Sequence, residues 1–321
     1  MQKRKLGKTD LELTTIGLGT WAIGGPWQYG WGEQSDRESI DTLQRALELG
    51  INWIDTAPIY GCGHAEVIIG QALRPLRHKP IIATKCGLRW NAAREKLNNL
   101  DPDSIRRECE ESLTRLGIDR IDLYQMHWPI PDEQIEQAWE AMASCVEQKM
   151  VRYLGACNVT LEQLQRLQKV FPAAAIQPPY SMLKRGIETG LLDYCGKNNI
   201  GIVCYSPMQK GLLTGKFNAD YLSTLSANDH RLRDPNFQSP RFETIVAMVD
   251  ELKKIAADCG KSVAQLAIAW VLRKPEITAA IVGARRPDQI EQTAPAANWT
   301  LEAEIIDRVE DILNRYVEMS I

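Results

Sequence analysis

Short apolar runs alternate with longer segments in which apolar positions return every three or four residues, from residue 16 almost to the C-terminus. The runs read as buried strands and the periodic segments as helices with one apolar face. Strands are predicted at IGLGTW (16–21), INWIDTAP (51–58), PIIATK (80–85), IDLYQMHW (121–128), VRYLGACN (151–158), AAIQPPY (174–180), GIVCYSP (201–207) and ITAAIVG (277–283). A helix is predicted from Ser35 to Leu49, opened by Ser35 and Glu38 at capping-box spacing and closed by Gly50. Another is predicted near His64 to Leu73. The next starts at Asp101-Pro102, an N-cap followed by an N1 proline, and carries Ile105, Cys109, Leu113 and Leu116 on one stripe before Gly117. Stripes at Ile135, Trp139, Met142 and Val146 and at Leu161, Leu164 and Leu167 predict two more, and a further helix is expected over 187–197. A long polar loop is expected over 207–240, then helices over 241–259 and 262–273, the second with Ser262 and Gln265 as a capping box.

Eight strand candidates, each followed by helix, imply a parallel sheet with helical crossovers. Eight such units can close into a (β/α)8 TIM barrel, an α/β fold. An open doubly wound sheet is the alternative, disfavoured by the count of eight and by the lack of any composition break marking a second domain. The expectation is one domain over residues 1–321, with extra helices near the C-terminus. Residues 1–15 read as a short N-terminal β-hairpin plugging one end of the barrel.

Composition changes this picture little but narrows the chemistry. The 321 residues are 44% apolar and 25% charged, ordinary for a globular chain. A net charge of −3 gives no basic field for nucleic acid or anionic lipid, so an anionic small ligand needs a local cationic site. No apolar segment follows the basic N-terminus and no run approaches a membrane span, so a cytoplasmic location is expected. The eight cysteines are scattered without a CxxC pair and read as reduced thiols, and the four histidines form no ligand spacing, so no metal site is expected.

In a barrel of this kind catalytic residues sit at the C-terminal ends of the strands. The second strand ends at Asp55, with Tyr60 just beyond; the third ends at Lys85 and the fourth at His127. A carboxylate, a phenol, an ammonium and an imidazole at adjacent strand ends suit one acid–base device. A phenol with a free pKa of about 10 is a weak donor near neutrality. An ammonium beside it is expected to lower that value, and Asp55 to keep the ammonium charged. A neutral histidine can hold a substrate oxygen in line.

The runs IDTAPIYGCGHAE, IIATKCG, DLYQMHWP, YLGACN, QPPYS, YSPMQKGLLTGK and GARRPDQIEQ resemble, in order and spacing, those of the aldo-keto reductases. The resemblance covers nearly the whole chain. It implies NADPH-dependent reduction of a small carbonyl substrate to an alcohol, with Tyr60 as general acid, Lys85 and Asp55 tuning it and His127 orienting the carbonyl. Hydride transfer requires a nicotinamide, because no side chain donates hydride. Gly17-Leu-Gly19-Thr-Trp-Ala22 fits the dinucleotide fingerprint G-x-G-x-x-A, but Gly24-Gly25-Pro26 and a tryptophan-rich loop intervene before any helix, so it reads as strand and loop.

The resemblance lays the cofactor across the barrel mouth instead. Gly19, Thr20 and Trp21 would line it with Asp55; Asn158 and Gln177 would pair with the carboxamide; Tyr205 would stack on the nicotinamide. The loop Ser206 to Lys216 would cover the pyrophosphate, with Pro207, Gly215 and the backbone amides of Gly211, Leu212 and Leu213. After the eighth strand come Gly283, Arg285, Arg286 and Gln289, in a region that commonly binds phosphate in this fold. Two arginines there suit a 2′-phosphate, favouring NADPH/NADP+ over NADH. The family usually has Glu-Asn where this chain has Gln292-Thr293, at positions that meet the adenine and its ribose. Trp21, Trp27, Trp31, Trp90 and Trp128, with Tyr29, are candidate substrate contacts at the mouth; they equally suit lid packing. Two other functions stay open: a sugar dehydrogenase working oxidatively on the same site, and a regulatory binding module like the potassium-channel β subunits, which resemble this family.

Overall fold

The structure is a computed structural model, and it describes residues 1–318. Eight parallel strands close into a barrel: β3 (Ile16–Gly19), β4 (Trp53–Asp55), β5 (Ile81–Cys86), β8 (Ile121–Met126), β9 (Val151–Cys157), β10 (Ala175–Gln177), β11 (Gly201–Cys204) and β12 (Ala279–Gly283), with β12 returning to β3. Two antiparallel hairpins stand outside the barrel: β1 (Lys3–Lys5) with β2 (Glu12–Thr14), and β6 (Leu88–Trp90) with β7 (Lys96–Asn98). The helices are α1 (Asp36–Glu48), α2 (His64–Leu73), α3 (Pro102–Leu116), α4 (Ile135–Glu147), α5 (Leu161–Val170), α6 (Leu191–Asn198), α7 (Ala219–Ser223), α8 (Arg241–Asp258), α9 (Val263–Leu272), α10 (Pro287–Thr293) and α11 (Ala303–Glu318). Among the described residues no single helix is long and apolar enough to cross a membrane.

The helix boundaries follow from side-chain capping. Asp101 accepts the N–H groups of Asp103 and Ser104 at the start of α3, which ends on Gly117 in the left-handed region (φ 62°). Full capping boxes form at Ser262/Gln265 and at Thr160/Gln163, the second not foreseen. At α1 Ser35 accepts from Glu38 N–H at 3.4 Å. The 207–240 stretch is less loop-like than its polarity implies, holding α7 and several 3-10 turns. The β6–β7 hairpin was not foreseen either; its strands are short and charged, without the alternation that marks a half-buried strand.

The N-terminal hairpin closes the lower end of the barrel. Leu6, Leu11 and Leu13 pack with Trp53, Ala83, Leu123, Ala175, Val203 and Ala279, all buried. Trp53 lies across Gly17, where an added Cβ would come within 2.1 Å of the indole, and donates Nε1–H to Thr14 O at 2.9 Å. Gly17 therefore makes room for a core tryptophan, and the G-x-G-x-x-A match is a packing feature. The lower end of the barrel is thereby filled with side chains.

Candidate active site

Lys85 and Asp55 are almost completely buried at neighbouring strand ends. Lys85 Nζ donates to Asp55 Oδ1 at 2.6 Å, to Thr56 O at 2.9 Å and to Tyr60 Oη at 3.3 Å, so all three ammonium hydrogens have acceptors. Tyr60 comes from the turn between β4 and α2, and Gly24 presses on that turn so closely that a Cβ there would strike Gly61 N at 2.7 Å. His127 stands edge-on to Tyr60, with ring centroids 5.9 Å apart and planes at 79°. Its buried Nδ1 has no partner among the described residues.

Asp55 Oδ2 is held by two amides, Gln177 Nε2 at 2.7 Å and Gln125 Nε2 at 3.3 Å, and Gln177 Nε2 also reaches Gln125 Oε1 at 3.1 Å. Gln125 was missed in the sequence. Its signal was a glutamine inside an apolar strand run, two residues before His127 and so on the same face. Asn158 sits past the end of β9 in the left-handed region (φ 58°), donating to His127 O at 3.0 Å and accepting from Tyr205 Oη at 2.9 Å.

Burial pushes the Tyr60 phenol up to about 12; Lys85 pulls it down, and Asp55 opposes that pull. Lys85 thus acts in the expected direction, but desolvation outweighs the ammonium, whose charge is already matched by Asp55. For Lys85, burial works against the charge, but Asp55 and Tyr60 outweigh it and hold the ammonium above its usual range. His127 is held well below its usual value by burial, then by Lys85 and Lys96, which keeps the imidazole neutral.

These groups face a cavity of about 390 Å³. Of the expected residues, Gly19, Thr20, Trp21, Asp55, Tyr60, His127, Asn158, Gln177, Tyr205, Ser206, Pro207, Gly211 and Gly283 line it, as do Trp27, Trp31 and Trp128. Tyr29, Leu88 and Lys96 line it as well, the last two brought there by the β6–β7 hairpin. Trp90 does not line the cavity; it packs behind, against the cluster of Ala57, Ile59, Tyr60, Ala65 and Leu88.

The outer loops depart further from expectation. The N–H groups of Gly211 and Leu213 both donate to Met208 O within the turn over 209–214, whose Lys210, Gly211 and Leu213 depart from helical geometry, so the loop itself takes up those two amides. The side chains of Leu212 and Leu213 are buried, and Gly215 packs against Lys253 and Val263. Lys216 is exposed outside the cavity lining. The Arg285 guanidinium donates within the protein, to Gln34 Oε1 at 2.7 Å, Trp31 O at 3.1 Å and Glu33 O. It ties the loop after β3 to the end of β12. Gln289 accepts from Arg285 N–H at 2.8 Å, and Gln292 is exposed on α10. Arg286 is about half exposed and is paired at 3.0 Å with Asp288. Among the described residues no group of three histidine, cysteine or acidic side chains converges as metal ligands would.

Comparison with known proteins agrees with the barrel fold. The model of the aldo/keto reductase family matches residues 15–314. The chain is 39% identical to the aldo-keto reductase YhdN of Bacillus subtilis (strain 168), over 99% of this chain and 95% of that one. It is 36% identical to an NADH-specific methylglyoxal reductase of Escherichia coli (strain K12), covering 98% and 100%. Its fold matches the glycerol dehydrogenase AKR11B4 of Gluconobacter oxydans with a TM-score of 0.90 at 39% identity, over 98% and 96% of the two chains.

Proposed function

The chain belongs to the aldo/keto reductase family, and from that premise we propose that it reduces a small aldehyde or ketone with NADPH, using Tyr60 as proton donor. The observation that carries this reading is the buried chain Asp55–Lys85–Tyr60 with His127 at its open end. A carbonyl oxygen between Tyr60 Oη and a neutral His127 is polarised by both. As negative charge grows on it, Tyr60 gives up its proton, and Lys85, already within 3.3 Å, stabilises the phenolate left behind. Asp55 keeps Lys85 charged, and Gln125 and Gln177 keep Asp55 in register.

The cavity suits a nicotinamide. Gly19 and Gly283 pair at the ends of β3 and β12, and a Cβ on Gly283 would meet only Gly19 O, at 3.9 Å, so a flat shelf is left open. Gln177 commits its amide N–H to Asp55 and Gln125, which leaves Oε1 to accept from a carboxamide. Tyr205 lines the cavity beside it. When bound, the nicotinamide supplies the hydride.

For the cofactor's 2′-phosphate we propose Arg286, with Arg285 as a loop tie. NADH is the second reading, favoured by the engagement of Arg285 and by the NADH-specific relative. Oxidation of a polyol on the same site is the alternative direction, suggested by the glycerol dehydrogenase likeness. All eight cysteines are unpaired, which suits the cytoplasm. The test is a screen of NADPH and NADH oxidation over a carbonyl panel, run also in reverse with alcohols. Turnover of carbonyls with NADPH is expected; turnover of no carbonyl with either cofactor overturns the reading.

A further inference from the structure

We propose that Lys96 recognises an anionic group, a carboxylate or a phosphate, on the carbonyl substrate, so that short anionic aldehydes or ketones are the favoured class. This rests on the carbonyl reduction proposed above and names its substrate.

The charged side chains lining the cavity are Asp55, Lys96 and Lys210. Asp55 is matched by Lys85 and Lys210 by Asp234 at 2.6 Å. Among the described residues Lys96 has no carboxylate within ion-pair distance; its ammonium lies 5.9 Å from the centroid of the Tyr29 ring. Its neighbours on the hairpin are otherwise engaged: Arg89 pairs with Glu111 at 2.6 Å, Arg94 donates to Gly61 O at 3.0 Å, and Glu95 accepts from Asn91 at 2.8 Å. The cavity therefore carries one uncompensated positive charge in a chain whose net charge is −3.

The backbone that carries that charge is held in place. Lys96 pairs with Trp90 across the hairpin, and its N–H donates to Gln28 Oε1 at 3.1 Å. The Arg94–Gly61 bond fastens the same hairpin to the turn that carries Tyr60. The hairpin follows β5, which stands opposite β11 in the ring, and on the reading proposed above the cofactor's phosphates lie on the β11–β12 side, toward Arg286. Lys96 is thus across the mouth from the cofactor's phosphates, on the substrate side. Its charge is felt at His127, where it helps hold the imidazole neutral. Tyr29, Trp27 and Leu88 line the wall with it, enough apolar surface for a short carbon chain with its charge at one end.

The experiment measures kcat/KM with length-matched pairs: 4-oxobutanoate against butanal, and glyceraldehyde 3-phosphate against glyceraldehyde. In the wild type the anionic-to-neutral ratio exceeds one and falls with added salt, as a single exposed charge contact requires. Lys96→Met lowers the ratio at least tenfold, Lys96→Glu lowers it further, and Lys96→Arg restores most of it. The two pairs separate carboxylate from phosphate as the preferred group. A ratio that Lys96→Met leaves unmoved, or a wild type that prefers the neutral partners, overturns the assignment while leaving carbonyl reduction intact. Failure to reduce any of the four compounds, or any other carbonyl, overturns both.

Discussion

Lys85–Asp55 and Arg286–Asp288 pair the same kinds of charge at 2.6 and 3.0 Å, yet one lies at the floor of the mouth and the other on its rim. At the floor the pair is buried and every hydrogen of the ammonium is accepted, one by the phenol. On the rim both partners are about half exposed and their attraction is screened by water. A buried pair is costly to break and a surface pair is worth at most about 1 kcal/mol. The floor is thus preorganised to hold a proton in one place, whereas Arg286 can exchange Asp288 for a ligand's phosphate with little loss. Arg285, one residue away, resembles the floor more than the rim, since all three of its guanidinium nitrogens donate to acceptors within the protein.

Breaking the floor should give the largest effect. Lys85→Met leaves Asp55 buried without its cation, at a cost of about 3–5 kcal/mol in stability. Turnover should fall by roughly 10²–10⁴-fold, the range of a displaced general acid. Lys85 lowers the Tyr60 pKa, so its loss moves that pKa further up. Reduction needs the protonated phenol, so the pH above which kcat falls should rise in the variant. Denaturant unfolding and a pH–rate series check both; unchanged stability with an unmoved profile would mean that another cation serves the phenol.

The rim should respond less, and unequally. Arg286→Ala is expected to raise the Kd for NADPH by roughly tenfold or more, from the loss of a charge-assisted bond worth about 1.5–3 kcal/mol, with NADH little changed. Arg285→Ala should weaken NADPH and NADH by the same few-fold factor, because it frees the loop at Trp31 to Gln34 and not a phosphate contact. Titration followed by tryptophan fluorescence separates the two. If Arg285→Ala alone discriminates between the cofactors, the loop releases Arg285 when the cofactor binds and the division drawn between these arginines fails.

The same contrast governs what could be read before the fold was known. Asp55, Lys85 and His127 were legible because a strand run announces its own end, and chemistry in a barrel collects there. Gln125 was legible in principle, through its alternation with His127. The engagement of Arg285 was not, because its partners at Trp31, Glu33 and Gln34 lie about 250 residues away in sequence, in a loop without periodicity. The hairpin that delivers Lys96 was hidden for a related reason: its strands carry few apolar positions, and it is tied to distant loops, by Arg94 to Gly61 O and by the Lys96 N–H to Gln28 Oε1. The net rise in the Tyr60 pKa was likewise unreadable, since burial and a neighbouring cation pull in opposite directions and only the structure gives their balance.

The central claim is that Tyr60 supplies the proton, and Tyr60→Phe tests it with the loss of a single oxygen. Lys85 keeps Asp55 Oδ1 and Thr56 O as acceptors in that variant, so the floor should stay intact. The measurement is carbonyl reduction by Tyr60→Phe, with NADPH affinity determined on the same preparation. Loss of turnover by at least about 10²-fold with Kd unchanged is the predicted result. Turnover like that of the wild type, with cofactor bound, would contradict it.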